Sequence, residues 1–300
     1  MPSTFPLRAN DVRDEPAVLT RRQLLVGGAL LAGGLLLGAS GCSGRGGRLG
    51  WNETADWSTA ERMFFRGPFT ADDLRPALSA GRRPIVSVKL SQPWAGVAAG
   101  ASDADLDLIN AALSEIDGVA DITFHHEPEN DEEGHPNVVS PAGTAEQYRA
   151  ATRRFVDRAV EGTGATYALC LMGSGYEAGA EGGPERWDAG VEGSYAADPY
   201  NRWGADGDTW RSLAELVEPM AAYADRQGTG CGVWETNAME DPADPDRKGR
   251  WIREAAATAT EIEMETLVFF DGGEFAWQLL SSPQAMSAVE SSARTEYFTA

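Results

Sequence analysis

Two stretches of the chain place carboxylates where an apolar run stops. In DITFHHEPEND, residues 121–131, Ile122, Thr123 and Phe124 lead into His125, His126, Glu127, Pro128 and Glu129. In GCGVWETN, residues 230–237, Gly232, Val233 and Trp234 lead into Glu235. A carboxyl in a partly desolvated site beside a second carboxylate holds its proton near neutral pH while the other stays ionised. Such a pair offers an acid and a nucleophile or base to one bond. Glu127 and Glu235 are the expected pair. Glu129 is the alternative acid, and otherwise belongs with Asp131, Glu132 and Glu133 to an acidic loop. Pro128 is expected to hold Glu127 extended. His126 is placed to bind substrate or orient a carboxylate. Strand alternation turns His125 away from His126. His125 is therefore expected to be structural, and the two rings cannot easily share one ion. His135 sits in a Pro/Gly loop, and no CxxC spacing occurs, so no metal or cofactor is assigned.

Positioning these groups takes a regular scaffold. Short apolar runs at 48–52, 62–67, 84–90, 120–127, 166–173, 190–201, 230–237 and 264–273 read as strands. Amphipathic stretches at 72–81, 103–118, 143–162, 210–228, 248–262 and 282–293 read as helices. Alternating β and α argues for a parallel sheet, and eight repeats in this length favour a closed (β/α)8 TIM barrel. An open doubly wound sheet is second choice, and no GxGxxG or P-loop follows an early strand. In such barrels the chemistry sits at the carboxyl ends of the strands. Those ends carry Arg66, Lys89, His126, Glu127, Tyr176, Glu177, Asp198, Tyr200, Trp234, Glu235 and Asp271. Glu127 and Glu235 end the fourth and seventh strands. Two carboxylates at one mouth suit retaining glycoside hydrolysis, with one as nucleophile and one as acid/base. A GxSxG elbow for a serine hydrolase is missing.

These features together resemble a glycosidase of the family 26 type, a β-mannanase-like member of the large group of (β/α)8 hydrolases. The resemblance spans about residues 50–293. It rests on PIVSVK, HHEPEND, DPYN, GVWETN, GRWI and FFD in that order. It implies Glu127 as acid/base, preceded by the family's His at His126, and Glu235 as nucleophile. It also implies Tyr200, near Asp198, as a phenol hydrogen-bonded to the nucleophile. Trp94, Trp203, Trp234 and Trp277 are the candidate sugar platforms. Thr236 and Asn237 depart from the small or aromatic residues usual after the nucleophile. The implied substrate is a β-linked polysaccharide, mannan-like or a related β-glucan. A non-catalytic glycan-binding surface protein on the same barrel is the competing expectation.

The ends and the composition bound the setting. Residues 1–41 read as a twin-arginine export signal, with Arg21-Arg22 before the apolar run 24–39. The run is short for a bilayer span. ASGC resembles a lipobox, so Cys42 is expected to carry the lipid; a plain membrane anchor is the alternative. Residues 42–47 form a tether and 48–300 the barrel domain, near the about 250 residues usual for this fold. The expected place is the outer face of the cytoplasmic membrane, held by the lipid anchor alone, as a monomer. Acidic residues number 46 against 25 basic, a formal charge of -21. Such a surface repels phosphate backbones and argues against nucleic-acid binding. Cys170 and Cys231 lie in strands and are expected to be small buried apolar groups, although export permits a bridge.

Overall fold

The computed structural model describes residues 48–51, 58–116, 119–135, 142–177, 179–180, 182–204, 209–271 and 282–299. The barrel strands are β1 (Arg48–Trp51), β2 (Ala60–Phe65), β3 (Arg83–Val88), β4 (Asp121–Phe124), β5 (Thr166–Met172), β6 (Ser194–Asp198), β7 (Cys231–Ala238) and β8 (Thr266–Phe269). Each pairs in parallel with the next, and β8 pairs with β1. The ring is therefore closed, as the alternation predicts, and an open sheet is excluded. A further strand of two residues, Tyr200–Asn201, pairs with Asn237 and Ala238 at the end of β7.

Helices cover the outside: α1 (Ala71–Ser79), α2 (Trp94–Ala98), α3 (Asp103–Glu115), α4 (Ala145–Phe155), α5 (Leu213–Gln227), α6 (Arg247–Glu261), α7 (Pro283–Ala293) and α8 (Glu296–Thr299). Local chemistry sets several ends. Thr144 with Gln147, and Ser212 with Glu215, form capping boxes at the starts of α4 and α5. Gly228 closes α5 in the left-handed conformation that favours glycine. The short α2 and α8 lack a full amphipathic repeat and have no counterpart in the sequence-based reading.

Strand alternation sorts the apolar residues into two layers. Val86, Val88, Ile122, Phe124, Leu169, Leu171, Val233, Leu267 and Phe269 join the main core with the helices. Ala60, Ile85, Ala168, Cys170, Ala196, Trp234 and Val268 form a separate cluster that fills the barrel axis. The small side chains on β5 and β6, with Gly232 on β7, leave room there for Trp234. A Cβ on Gly232 would collide with the Thr266 hydroxyl. Cys170 and Cys231 are buried and unbridged.

This packing corrects two of the expected sugar platforms. Trp94 is 1% exposed. Its indole meets His125, Tyr148 and Trp187 edge to face, and its Nε1 donates to His125 Nδ1 at 3.1 Å. Trp234 is 2% exposed on the barrel axis. Neither offers a ring face to a ligand. Trp203 is half-buried, edge to face with Trp210, and Trp277 lies outside the described residues. Trp94→Ala should lower the unfolding free energy by about 3–5 kcal/mol through loss of buried contacts. Urea denaturation checks this, and a loss below about 1 kcal/mol would contradict a core role.

Candidate active site

At the carboxyl end of β4 the chain leaves the strand abruptly. His125 (φ 54°) and Glu127 (φ 49°) both take left-handed backbone conformations, uncommon for residues with a Cβ. The extended conformation expected for Glu127 before Pro128 is not adopted. Backbone hydrogen bonds account for the difference. The Glu127 N–H donates to Cys170 C=O on β5 at 2.9 Å, and the Glu127 C=O accepts from Asn130 N–H at 3.1 Å. The second bond starts the 3-10 turn Pro128–Asp131. The reversal at His125 sends its ring toward α2 and sends His126 toward Phe64 on β2, with ring centroids 5.3 Å apart.

The far end of this turn is tied down by charge. Because Trp94 donates to His125 Nδ1, the proton lies on Nε2, which donates to Asp131 Oδ2 at 2.7 Å. Lys89 Nζ donates to the same oxygen at 2.8 Å. The His125 bond, then Lys89, hold the Asp131 carboxyl well below its usual range despite partial burial. Glu129 points the opposite way. Its Oε1 accepts from Met172 N–H at 3.0 Å, and a Cβ on Gly175 would collide with that carboxylate. Burial, with the nearby Glu127 charge adding to it, pushes Glu129 up to about 8.

Glu235 reaches the mouth through an irregularity in β7. Val233 pairs with Leu267 and Thr236 with Phe269. Three steps on β7 thus match two on β8, which is a bulge of one residue. Bulges re-aim side chains and occur beside active sites. Trp234 points into the barrel, and the extra residue lets Glu235 follow it to the same side. Glu235 is 8% exposed. Its Oε1 lies 3.2 Å from Arg62 Nη2, and its Oε2 accepts from the Tyr200 hydroxyl at 3.1 Å. Arg62 is buried on β2. Its Nη1 donates to Ile85 C=O at 3.3 Å, and its guanidinium stacks on the rings of Phe64 and Trp234.

The electrostatics separate the carboxyls. Burial first, then the Glu235 charge, raise Glu127 to about 7, although Lys89, Arg62 and a 2.9 Å bond from Asn130 Nδ2 oppose the rise. Asp198 on β6 is fully buried, with the Cys170 thiol 3.4 Å from its Oδ2. Burial and the charges of Glu235 and Glu127 push Asp198 well above the usual carboxylate range. His126 is pushed down by burial and by Arg62, so it is neutral at pH 7. Its buried Nδ1 has no protein partner among the described residues. A carboxylate ion-paired to Arg62, two carboxyls raised above the usual range and a neutral imidazole thus lie around this guanidinium.

Of the sequence-derived candidates, Glu127, Glu235, His126, Tyr200 and Asp198 come together at this mouth. Glu177 instead pairs with Arg211 at 2.7 Å. Trp203 stands beside Arg247, whose guanidinium carbon lies 5.1 Å from its ring centroid and 4.1 Å from that of Trp210. Arg62 is a site residue that the strand ends do not reveal, because the carboxyl end of its apolar run carries Arg66. The available signal was a charged residue opening the apolar run of a barrel strand.

No protein-family model matches the sequence, and no curated protein matches it. Solved structures do match in fold. GH26C from a Muricauda species superposes with a TM-score of 0.55 at 12% identity, covering 84% of this chain and 86% of that one. The catalytic domain of a Bacillus GH26 endo-β-1,4-mannanase gives 0.53 at 13% identity, covering 86% and 88%. A glucosidase from Croceicoccus marinus gives 0.54 at 13% identity, covering 84% and 67%. At these identities the shared property is the (β/α)8 barrel.

Two predictions test the site's electrostatics. Arg62→Met leaves Glu235 buried without its cation and should destabilise the fold by about 3–5 kcal/mol. Adding Glu235→Gln should recover much of that, as read by chemical denaturation at pH 7. Glu127 and Glu129 have native pKa values above the unfolded value of about 4.3. The native state therefore binds more protons between about pH 5 and 8, and its stability falls as pH rises through that window. Glu129→Gln should flatten this fall; an unchanged slope would show that Glu129 is ionised throughout.

Proposed function

We propose that this protein is an exported retaining glycoside hydrolase acting on a β-linked polysaccharide of the mannan or glucan type. The observation that carries the reading is the asymmetry of two carboxyls at one barrel mouth. Glu235 is ion-paired to Arg62, and Glu127 is raised to about 7 beside it. Retaining hydrolysis needs this division between a nucleophile and a protonated acid. The barrel neighbours among glycoside hydrolases agree with it in fold.

In the proposed reaction Glu235 attacks the anomeric carbon as the glycosidic C–O bond breaks, and Glu127 gives its proton to the leaving oxygen. Glu127, now a carboxylate, takes a proton from water. That water attacks the anomeric carbon and releases Glu235. Tyr200 and Arg62 hold the Glu235 carboxylate in position. The neutral His126 ring offers a hydrogen-bonding nitrogen to a sugar hydroxyl. Arg21-Arg22 and Cys42 support export and acylation, which mass spectrometry of the mature N-terminus tests.

Glu127→Ala should lower kcat on β-1,4-linked mannan or glucan about 10²–10⁴-fold. The loss should be smaller on an aryl glycoside whose leaving group needs no proton. Glu235→Ala should fail on both, and wild-type rates in either variant would sink the mechanism. The wild-type rate should fall above about pH 7 as Glu127 loses its proton, and a rate flat from pH 6 to 9 would remove Glu127 as the acid.

A further inference from the structure

The platforms expected from sequence were tryptophans, yet Trp94 and Trp234 are buried. A different aromatic residue holds the exposed position at the mouth. On β2, Ala60 and Arg62 face the barrel axis. Ala60 belongs to the axial cluster, and Arg62 reaches Glu235 and the Trp234 ring. Phe64 is the next residue of that parity and the last before the strand ends. Its register partner is Ser87 on β3, whose small side chain leaves the ring uncovered on that side. Phe64 is 46% exposed. Among the described residues the other exposed large apolar side chains are Leu108 and Val119. Leu108 lies in α3 on the outside, and Val119 precedes β4 at the amino end of the barrel.

The Phe64 ring is also fixed in place. The Arg62 guanidinium carbon lies 4.4 Å from its centroid, and His126 meets it edge to face. The same guanidinium holds Glu235, and His126 adjoins Glu127. The ring is therefore linked to Glu235 through Arg62, and it touches the residue that precedes Glu127 in the chain. Leaving this ring exposed costs hydrophobic free energy that burial would recover, and the core elsewhere buries its aromatics.

We infer that Phe64 is the stacking platform for the sugar unit bound beside the carboxyl pair, a specificity-determining contact for pyranoses with a flat apolar face. β-Linked glucose and mannose units carry such a face, formed by their axial C–H bonds at C1, C3 and C5. An aromatic ring takes up that face by dispersion and by the attraction of polarised C–H groups to its π cloud. The underlying guanidinium keeps the ring from tilting away. This inference rests on the glycosidase reading of the site and adds the residue that reads the sugar's shape.

The test compares wild type, Phe64→Ala, Phe64→Leu and Phe64→Trp on β-1,4-mannohexaose and β-1,4-cellohexaose, with thermal melts as the folding control. The better hexaose for the wild type sets the comparison. Phe64→Ala should raise KM about tenfold or more with kcat changed far less. Phe64→Leu, which keeps apolar bulk without a flat face, should be nearly as weak. Phe64→Trp should restore wild-type KM or better. If the alanine variant melts early, the leucine and tryptophan pair carries the comparison, since both retain apolar bulk. A wild-type KM in Phe64→Ala or Phe64→Leu, with wild-type turnover intact, overturns the platform and leaves the glycosidase reading standing. A wild type that neither cleaves nor binds either hexaose, by calorimetry, overturns both.

Discussion

The ion pair between Arg62 and Glu235 is the interaction on which the mouth of this barrel depends. Bringing two opposite charges into a barrel interior costs several kcal/mol per ion in lost hydration. The structure offsets that cost with specific partners: Ile85 C=O and two aromatic faces for the guanidinium, and the Tyr200 hydroxyl for the carboxylate. Arg62 is the guanidinium of this cluster, and its contact goes to Glu235. Burial, and then the charge of Glu235, push Glu127 and Asp198 above the usual carboxylate range. The same cation also helps hold His126 neutral. The electrostatics of the site thus follow first from burial and then from how Glu235 and Arg62 are placed within it. That placement in turn needs small residues on β5, β6 and β7 to leave the axis open.

Aiming the carboxyls required departures from regular strand geometry. A perfect β7 would turn Trp234 and Glu235 to opposite faces, and the inserted residue brings both inward. A perfect continuation of β4 would carry Glu127 past the mouth. Two left-handed residues fold the chain back, and the turn is locked by Cys170 C=O, Asn130, Asp131 with Lys89, and Glu129 with Met172. Residues in sparsely populated backbone regions cost of order 1–3 kcal/mol each and persist where their surroundings over-determine them. The surroundings here include a buried carboxyl wedged against Gly175, so Glu129 belongs to the support of the turn.

Much of this was legible from residue order alone. Most barrel strands announced themselves as short apolar runs, because β/α alternation leaves strands covered on both faces; β1 and β6, in RLGWN and GVEGSYAADPYN, gave the weakest signal. The pair Glu127 and Glu235 was legible because each carboxyl ends such a run. Arg62 and Phe64 were not, because both sit within a strand, where a run of types does not say which parity faces the axis. The tryptophans misled for a related reason. Trp is as suited to packing as to stacking, and Trp94 lies in a helix too short to show a period. The left-handed backbone at His125 and Glu127 was hidden because neither is glycine. It comes from hydrogen bonds to β5 and to the turn itself, which are long-range and local terms that outweigh the preference set by Pro128.

The chain's charge narrows how the proposed substrate is recognised. A protein of formal charge -21 repels anionic polymers over distances near a Debye length. Its mouth adds the Glu235 carboxylate, which shares its charge with Arg62. A neutral polysaccharide gains nothing from this field at long range, so its binding must come from short-range contacts. At the mouth the proposed contacts are the Phe64 face, the His126 Nδ1, which has no partner among the described residues, and the carboxyl of Glu127, raised to about 7. Each acts only on a sugar already in place, and each is fixed by the network around Arg62. Recognition and chemistry then draw on one set of interactions. A change that weakens the Arg62 pair should disturb both together, whereas a change confined to the Phe64 face should touch recognition alone.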